Sequence, residues 1–305
     1  MPWKQQNHSA PRLSVVVPHK NSSGLLSRLL DSIPKAPGIE VIVVDDKSSP
    51  HEVEALRKIA IPENWKLLFL DNPGYAGRAR NVGLGVARGD WVVFADSDDF
   101  FTSSLCDSIT PFLDRRDLDV VYFNVSSVDC AGNTSYRHIP YSDLVQKHLS
   151  AVSPDSHIRY RHTPPWGKLF RRDFLAEIGA SFDEIPASND IYFSVRTGHL
   201  ARQIAACADV IYIVTQRSGS ITNTVSVGNL ESKFQAALKV NAFLRQVGRR
   251  QFQHSILYFL FRAWTLQKPL ALQMLLRSIS NGNNPLTGLY KVTDLVETIR
   301  KRESR

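Results

Sequence analysis

Asp96-Ser97-Asp98-Asp99 follow directly on the apolar run Trp91–Ala95. Carboxylates crowded at the tip of a buried strand repel one another unless a cation or a donor-rich ligand offsets them. Oxygen-only ligands suit a hard divalent ion such as Mg²⁺ or Mn²⁺, and such ions are commonly shared with substrate phosphates. Asp also initiates turns and caps helices after strands, which accounts for one or two of these residues more readily than for three. A second acidic pair, Asp45-Asp46, ends the run Ile39–Val44, and Asp190 stands at the start of a helical pattern, where a carboxylate also suits the helix dipole.

The elements that must position these acids are legible in the first 125 residues. Leu13–Pro18, Ile39–Val44, Leu67–Leu70, Trp91–Ala95 and Val120–Val125 are short, continuously apolar runs, the pattern of strands buried on both faces. Helical patterns lie between them at Gly24–Ile33, Val53–Ile59 and Ala76–Arg88, with Ser22-Ser23 as an N-cap for the first. Strand–helix alternation implies a mostly parallel α/β sheet with right-handed crossovers, and ligands of such sheets bind beyond the carboxyl ends of the strands. Pro18-His19-Lys20-Asn21, Asp45-Asp46 and Asp96–Asp99 therefore share one sheet edge.

Beyond residue 130 the pattern is less regular. His157–Trp166 reads as loop, Lys168–Ile178 as helix, Phe182–Ser188 as loop, Asn189–Thr197 as helix and Cys207–Thr215 as strand. From Leu230 onward the chain reads as helices (Leu230–Val247, Gln251–Gln267, a break at Pro269, Leu270–Ile279), then the loop 281–285 and a last helix over Leu289–Arg302. Residues 245–305 carry eleven Lys or Arg against three acids, a net of +8 that equals the charge of the whole chain. A basic excess confined to apolar helices fits an anionic lipid surface or a solvated helix face, and no nucleic-acid motif accompanies it. The three cysteines are widely spaced and make neither a disulfide framework nor a zinc site. Residues 1–11 lack the apolar core of a signal peptide and the apolar stretch Ser255–Phe261 ends at Arg262, so the expectation is a cytoplasmic protein, at most peripheral on a membrane face.

Further residues carry paired readings. Gly77 lets backbone approach a ligand at a helix start, and Arg80 beside Asn81 can pair with phosphate or with a strand-tip Asp; a surface helix with an incidental Arg reads equally well. Trp166 and Lys168 suit an aromatic face and a cation at a ligand site, or a packed Trp beside a solvated Lys. Arg217 suits a diphosphate contact or a loop cation. His162 and His199 lack metal-ligand spacing.

Five separated blocks, LSVVVPHKNSSGLLSRLLDSI (13–33), IEVIVVDDKSS (39–49), AGRARNVGLGVARGDWVVFADSDD (76–99), WGKLFRR (166–172) and SNDIYFSVR (188–196), resemble in order and spacing the family 2 glycosyltransferases. The resemblance implies a GT-A fold over residues 13–225, with a nucleotide-binding half at about 13–125 and an acceptor half at about 126–225, between a tail at 1–12 and a helical basic region at 226–305. It implies transfer of a sugar, with inversion, from a nucleotide-sugar donor to a hydroxyl of a glycan or lipid-linked glycan, with Mn²⁺ or Mg²⁺, in assembly of a cell-surface polysaccharide, capsule or lipopolysaccharide.

By position, the resemblance makes Asp46, supported by Asp45, the acid that reads the nucleobase, and puts Asp96 near the ribose and diphosphate. Asp98 is then the metal ligand and Asp190 the catalytic base. Pro18, Asn21, Gly77, Arg80, Asn81 and Ser97 belong to the nucleotide-sugar site, and Trp166, Lys168, Asn189 and Arg217 to acceptor or diphosphate contacts. Lys20 stands where the family often has an aromatic, and Asn189 where it commonly has Glu. Two other readings compete: a non-catalytic nucleotide-sugar binding module, and a phosphatase forming an aspartyl-phosphate, which would leave Asp45-Asp46 and the 76–81 block unexplained.

Overall fold

The computed structural model describes residues 11–152, 155–217 and 226–285. These fall into two compact units, Met1–Ile185 with Tyr192–Ser220, and Pro186–Ile191 with Ile221–Arg305.

In the first unit, β1 (Leu13–His19), β2 (Ile39–Asp45), β3 (Lys66–Phe69) and β4 (Trp91–Phe94) are joined by α1 (Ser23–Ser32), α2 (Pro50–Arg57) and α3 (Tyr75–Val86). Then come β5 (Phe100–Phe101), α4 (Leu105–Ile109), β6 (Val120–Asp129), α5 (Ile139–Leu149), α6 (Asp155–Arg161), β7 (Lys168–Arg171), α7 (Arg172–Glu177), α8 (Ile191–Leu200) and β8 (Ile204–Gln216). The strands form one sheet in the order β3-β2-β1-β4-β7-β6-β8-β5. Only β5 and β7 run against the rest, so the expected mostly parallel sheet holds. Every residue of β1 and β2 is buried, as their unbroken apolar runs require of strands covered on both faces. One apolar cluster packs α1 and α2 on one side (Leu26, Leu29 and Leu56 with Val15, Val41 and Trp91), and a second packs α3 on the other (Ala79 with Val16, Ile42 and Phe94). Gly83 is required in α3, because a Cβ there would lie 2.5 Å from Val16 Cγ1.

The irregular middle departs from the sequence expectation in two places. Residues 155–161 form helix α6, not loop, and 168–171 form strand β7 before the short helix α7, not one continuous helix. The strand is favoured because Leu169 and Phe170 fill opposite cores while Phe170 pairs with Val92 and Val120 on its two neighbours. Trp166 and Lys168 lie in this buried layer. Trp166 is stacked on Tyr212 at 5.9 Å, and Lys168 Nζ donates to His162 O at 2.6 Å. Neither offers an exposed surface to an acceptor, which corrects that expectation.

In the second unit, α9 (Val227–Gln246), α10 (Leu257–Leu266) and α11 (Lys268–Ser280) enclose a core of Phe234, Ile256, Phe259, Ala263 and Met274. Ser226 caps α9 by accepting from Asn229 N, and Pro269 sits in the first turn of α11, where its missing N–H costs nothing. Asn241 clamps the backbone of His254, its Oδ1 accepting from His254 N at 2.7 Å and its Nδ2 donating to His254 O at 2.9 Å. The helix expected over 289–302 lies outside the described residues, and none of the described helices is long and apolar enough to cross a membrane.

His162 is buried among Tyr122, Tyr141 and Trp166 with neither ring nitrogen hydrogen-bonded. Burial, then the nearby Lys168 charge, hold its pKa well below the usual histidine value. The unfolded chain takes up this proton near pH 6.5 while the folded chain refuses it, so stability is complete above that pH and declines below it. The loss is about 1.4 kcal/mol per pH unit below the unfolded pKa. His162→Phe should therefore flatten the acid side of a Tm-versus-pH curve between about pH 6.5 and 5; a slope equal to that of the wild type would contradict this.

Candidate active site

The sheet order puts the carboxyl ends of β2, β1 and β4 side by side, so the loops after them meet at one edge. Three non-glycine residues in these crossovers adopt the left-handed region: Asn21 (φ 50°) after β1, Lys47 (φ 55°) after β2, and Tyr75 (φ 63°) at the start of α3. Such backbone persists only where surrounding contacts over-determine it. Those contacts are present. Asn21 N donates to Ser48 Oγ at 2.8 Å and Asn21 Oδ1 accepts from Ser49 N at 2.9 Å, tying the first two loops together. Pro18 itself is buried within β1, opposite Val44.

Asp45 and Asp46 are frame-building carboxylates. Asp45 is fully buried; its Oδ1 meets His19 Nδ1 at 2.8 Å and the Ser48 hydroxyl, and its Oδ2 accepts from Ser48 N at 2.9 Å. His19 Nε2 accepts from Ser22 N at 3.2 Å, so the proton of the neutral ring sits on Nδ1, facing Asp45. Asp46 Oδ1 accepts from Gly74 N at 2.6 Å and Oδ2 from Tyr75 N at 3.0 Å, a carboxylate seated on the positive end of α3. Lys20 Nζ, half-exposed, is its third partner at 3.2 Å.

Helix α3 carries this arrangement to the acidic cluster. From its first turn, which holds the buried Gly77, it runs to Arg80, whose guanidinium donates to Asp96 Oδ1 at 2.6 Å. The expected Arg80–strand-tip pairing is thus realised in the protein itself. The neighbouring Asn81 turns away from the cluster, and both ends of its amide engage the backbone of Phe182. Ser97 Oγ lies 3.0 Å from Ser22 Oγ, linking the cluster to the first loop.

The three acids of the cluster have different environments. Asp99 is buried and takes a hydrogen bond from the Tyr212 hydroxyl at 2.8 Å and from Thr215 N at 2.7 Å. Burial first, then the charges of Asp96 and Asp98, push its pKa well above the usual carboxylate range. Asp96 and Asp98 side chains are 30% and 28% exposed. Burial, then Asp96, raises the Asp98 pKa, and Arg217 opposes the shift from 3.2 Å. Arg28 secures the cluster's backbone, donating to Asp98 O at 2.6 Å and to Thr215 Oγ1 at 2.7 Å. Arg28, Tyr212 and Thr215 also serve the cluster, and the one sign of this in the sequence is the polar hydroxyl of Tyr212 within the apolar run Val210–Val214.

Among the described residues no group of three or more His, Cys, Asp or Glu could hold a metal on its own. The donor set nevertheless fits a hard divalent ion: Asp98 and Asp96 offer partly exposed carboxylate oxygens whose mutual repulsion is not fully offset. The remaining ligands would have to come from a substrate and water, the usual mode for such ions on phosphates. Asn189 and Asp190 precede α8 and belong to the second unit, where Asn189 is buried. Arg217 is the last described residue before 226, so the rest of the segment 217–222 is not described.

The Tyr212 hydroxyl accepts from Asp96 N at 2.8 Å while donating to Asp99, so one oxygen pins both the backbone and the buried acid of the cluster. Tyr212→Phe leaves both groups without that partner and should cost about 1–3 kcal/mol, read as a lower midpoint in urea unfolding. An unchanged midpoint would remove Tyr212 from this role.

The glycosyl transferase family 2 profile matches residues 14–179, more than half of the chain. Similar proteins include the poly(ribitol-phosphate) beta-N-acetylglucosaminyltransferase TarS of Staphylococcus aureus (29% identical over 215 residues, 68% of this chain and 36% of TarS). The glycosyltransferase GlyG of Streptococcus pneumoniae is 27% identical over 230 residues, 70% of this chain and 73% of GlyG. The chain therefore spans about a third of the length of TarS but most of GlyG. Among solved structures, S. aureus TarS 1–349 with UDP-GlcNAc superposes with a TM-score of 0.61 at 23% identity, covering 85% of this chain and 74% of that one. The mannosyltransferase PcManGT of Pyrobaculum calidifontis, in complex with GDP-Man and Mn²⁺, gives 0.53 at 18% identity, covering 97% of this chain and 85% of that one. The fold is GT-A, and the chain belongs to glycosyl transferase family 2.

Proposed function

We propose that the chain is a metal-dependent, inverting glycosyltransferase that moves a sugar from a nucleotide-sugar donor to a hydroxyl of a glycan or lipid-linked glycan. The observation that carries this reading is the pair of partly exposed carboxylates, Asp96 and Asp98, beyond β4, at the edge where such sheets bind ligands. Asp98, with Asp96 beside it, would hold Mn²⁺ or Mg²⁺, which when bound supplies charge neutralisation for the diphosphate leaving group.

The protein's own groups supply the rest. Arg80 orients Asp96 through its hydrogen bond to Oδ1. Arg217, paired with Asp98 by one nitrogen, is free in charge terms to exchange that carboxylate for a diphosphate oxygen. Asp45 and Asp46 shape the nucleotide side, and Asp46 reaches a base by exchanging its exposed partner Lys20 for it. Asp190 takes the proton from the attacking acceptor hydroxyl onto its carboxylate. One base and no protein nucleophile give single-step inversion, by the logic that separates inverting from retaining sugar hydrolysis. Similar proteins support a role in cell-surface polymers: a poly(ribitol-phosphate) beta-glucosyltransferase of Bacillus spizizenii and a succinoglycan biosynthesis protein of Rhizobium meliloti.

The acceptor side has a membrane component in this reading, which puts the enzyme on the cytoplasmic face. Helix α10 carries Phe261 and Trp264, and α11 carries Leu272, Leu276 and Ile279, each more than half exposed and opposite its helix's buried stripe. Lys268 lies over the Trp264 ring at 5.4 Å, and the described residues 245–285 carry six Lys or Arg and no Asp or Glu. Exposed aromatic and aliphatic side chains with cations around them match the chemistry of an anionic lipid interface.

Two experiments test the proposal. Asp190→Asn should lower transfer by about 100- to 10,000-fold while leaving nucleotide affinity within twofold; lost nucleotide affinity, or retained transfer, contradicts its role as base. Thermal-shift screening of uridine-, guanosine- and thymidine-linked sugars with MnCl₂ selects the donor used for this assay, since a ligand of the native state raises Tm. For the lipid face, co-sedimentation with phosphatidylglycerol vesicles should exceed that with phosphatidylcholine, fall as NaCl screens the charges, and be lost in the Trp264→Ser/Leu272→Ser/Leu276→Ser variant. Equal recovery of variant and wild type contradicts membrane docking.

A further inference from the structure

Phe182 and Phe193 of the first unit bracket the segment that carries Asp190 in sequence. Their rings are stacked with centroids 3.9 Å apart and 12° between planes. Both rings also pack edge-on against Phe94, at 4.9 and 5.6 Å. Phe94 lies two residues before Asp96 on the strand that ends in the acidic cluster. Arg80, bonded to Asp96, lies over Phe182 at 5.3 Å.

Two polar side chains fix the backbone of this stretch. Asn81 accepts from Phe182 N at 2.7 Å and donates to Phe182 O at 3.0 Å, replacing a strand partner at its start. Further along, Ser232 of α9 accepts from Ala187 N at 3.1 Å and donates to Ala187 O at 2.8 Å, satisfying both polar groups of one buried residue. The next residue, Ser188, adopts φ 58°, a conformation that needs such support. Asp190 follows two residues later. With both polar groups of Ala187 held by one side chain, the backbone just before Asp190 is preset, and a misplacement of about 1 Å at a reacting group can cost on the order of 100-fold in rate.

We propose that Ser232 of α9 is a positioning residue for the Asp190 carboxylate, the two belonging to the same unit. The inference rests on the reading of Asp190 as base, and the experiment separates the two.

Full-length wild type, Ser232→Ala, Ser232→Thr and Asp190→Asn are compared by amide hydrogen–deuterium exchange over residues 183–192. Turnover of UDP-GlcNAc with MnCl₂, UDP affinity and Tm are measured on the same proteins. Ser232→Ala should raise exchange at residues 186–190 at least tenfold, lower kcat about 10- to 100-fold and leave donor KM and UDP affinity within twofold. Ser232→Thr, which keeps the hydroxyl, should restore exchange and kcat. Unchanged exchange in Ser232→Ala overturns the positioning role whether or not UDP-GlcNAc is turned over. Unchanged kcat in Ser232→Ala beside an inactive Asp190→Asn overturns it while sparing the base, and an active Asp190→Asn overturns the base itself.

Discussion

Negative charge concentrated at the end of β4 is the constraint from which the rest of the site follows. Asp99 is buried, and its anion is disfavoured there even with the Tyr212 hydroxyl and the Thr215 N–H donating to it. Arg80 answers Asp96 from α3, Arg217 answers Asp98 from the end of β8, and Arg28 answers the backbone carbonyl of Asp98 from α1. The partners come from elements on both faces of the sheet and from its far side. The acids therefore cross-brace the fold while keeping two carboxylates within reach of solvent. In the proposed function, a cation and a diphosphate would meet oxygens that are oriented but incompletely neutralised.

The same economy governs the neighbouring loops. Asp45 and Asp46 spend their hydrogen bonds on the protein, locking the turn after β2 to the start of α3. Helix α3 then transmits that position to Asp96 through Arg80 and to the 182 segment through Asn81, one residue later and on another face. One helix thus ties Asp96 to the backbone at Phe182. Catalysis by electrostatic preorganisation needs this kind of rigidity, since dipoles and charges act best when they need not reorganise.

Much of this was legible in the sequence because period and position follow from local physics. Continuous apolar runs gave β1, β2 and β4 as buried parallel strands, and the rule that ligands gather beyond strand ends brought Asp46 and Asp96–Asp99 to one edge. Where tertiary partners decide, sequence reading failed. Residues 168–171 have a helical pattern but form a strand, because the gap between β4 and β6 requires one. Trp166 and Lys168 look like surface residues and are buried, since the lysine finds a carbonyl and two aromatic rings inside. The roles of Tyr212 and Ser232 depend on contacts across 113 and 45 residues of sequence, distances over which spacing carries no signal.

The account turns on Asp98 gripping a cation that in turn grips a nucleoside diphosphate. Titration calorimetry of UDP, or of the diphosphate nucleoside matching the selected donor, with and without MnCl₂ on wild type and Asp98→Asn, measures this directly. The account predicts that Mn²⁺ tightens nucleotide binding to the wild type at least tenfold, about 1.4 kcal/mol, and that Asp98→Asn abolishes the gain. Mn²⁺-enhanced binding that survives in Asp98→Asn, or binding indifferent to Mn²⁺ in both proteins, would contradict it.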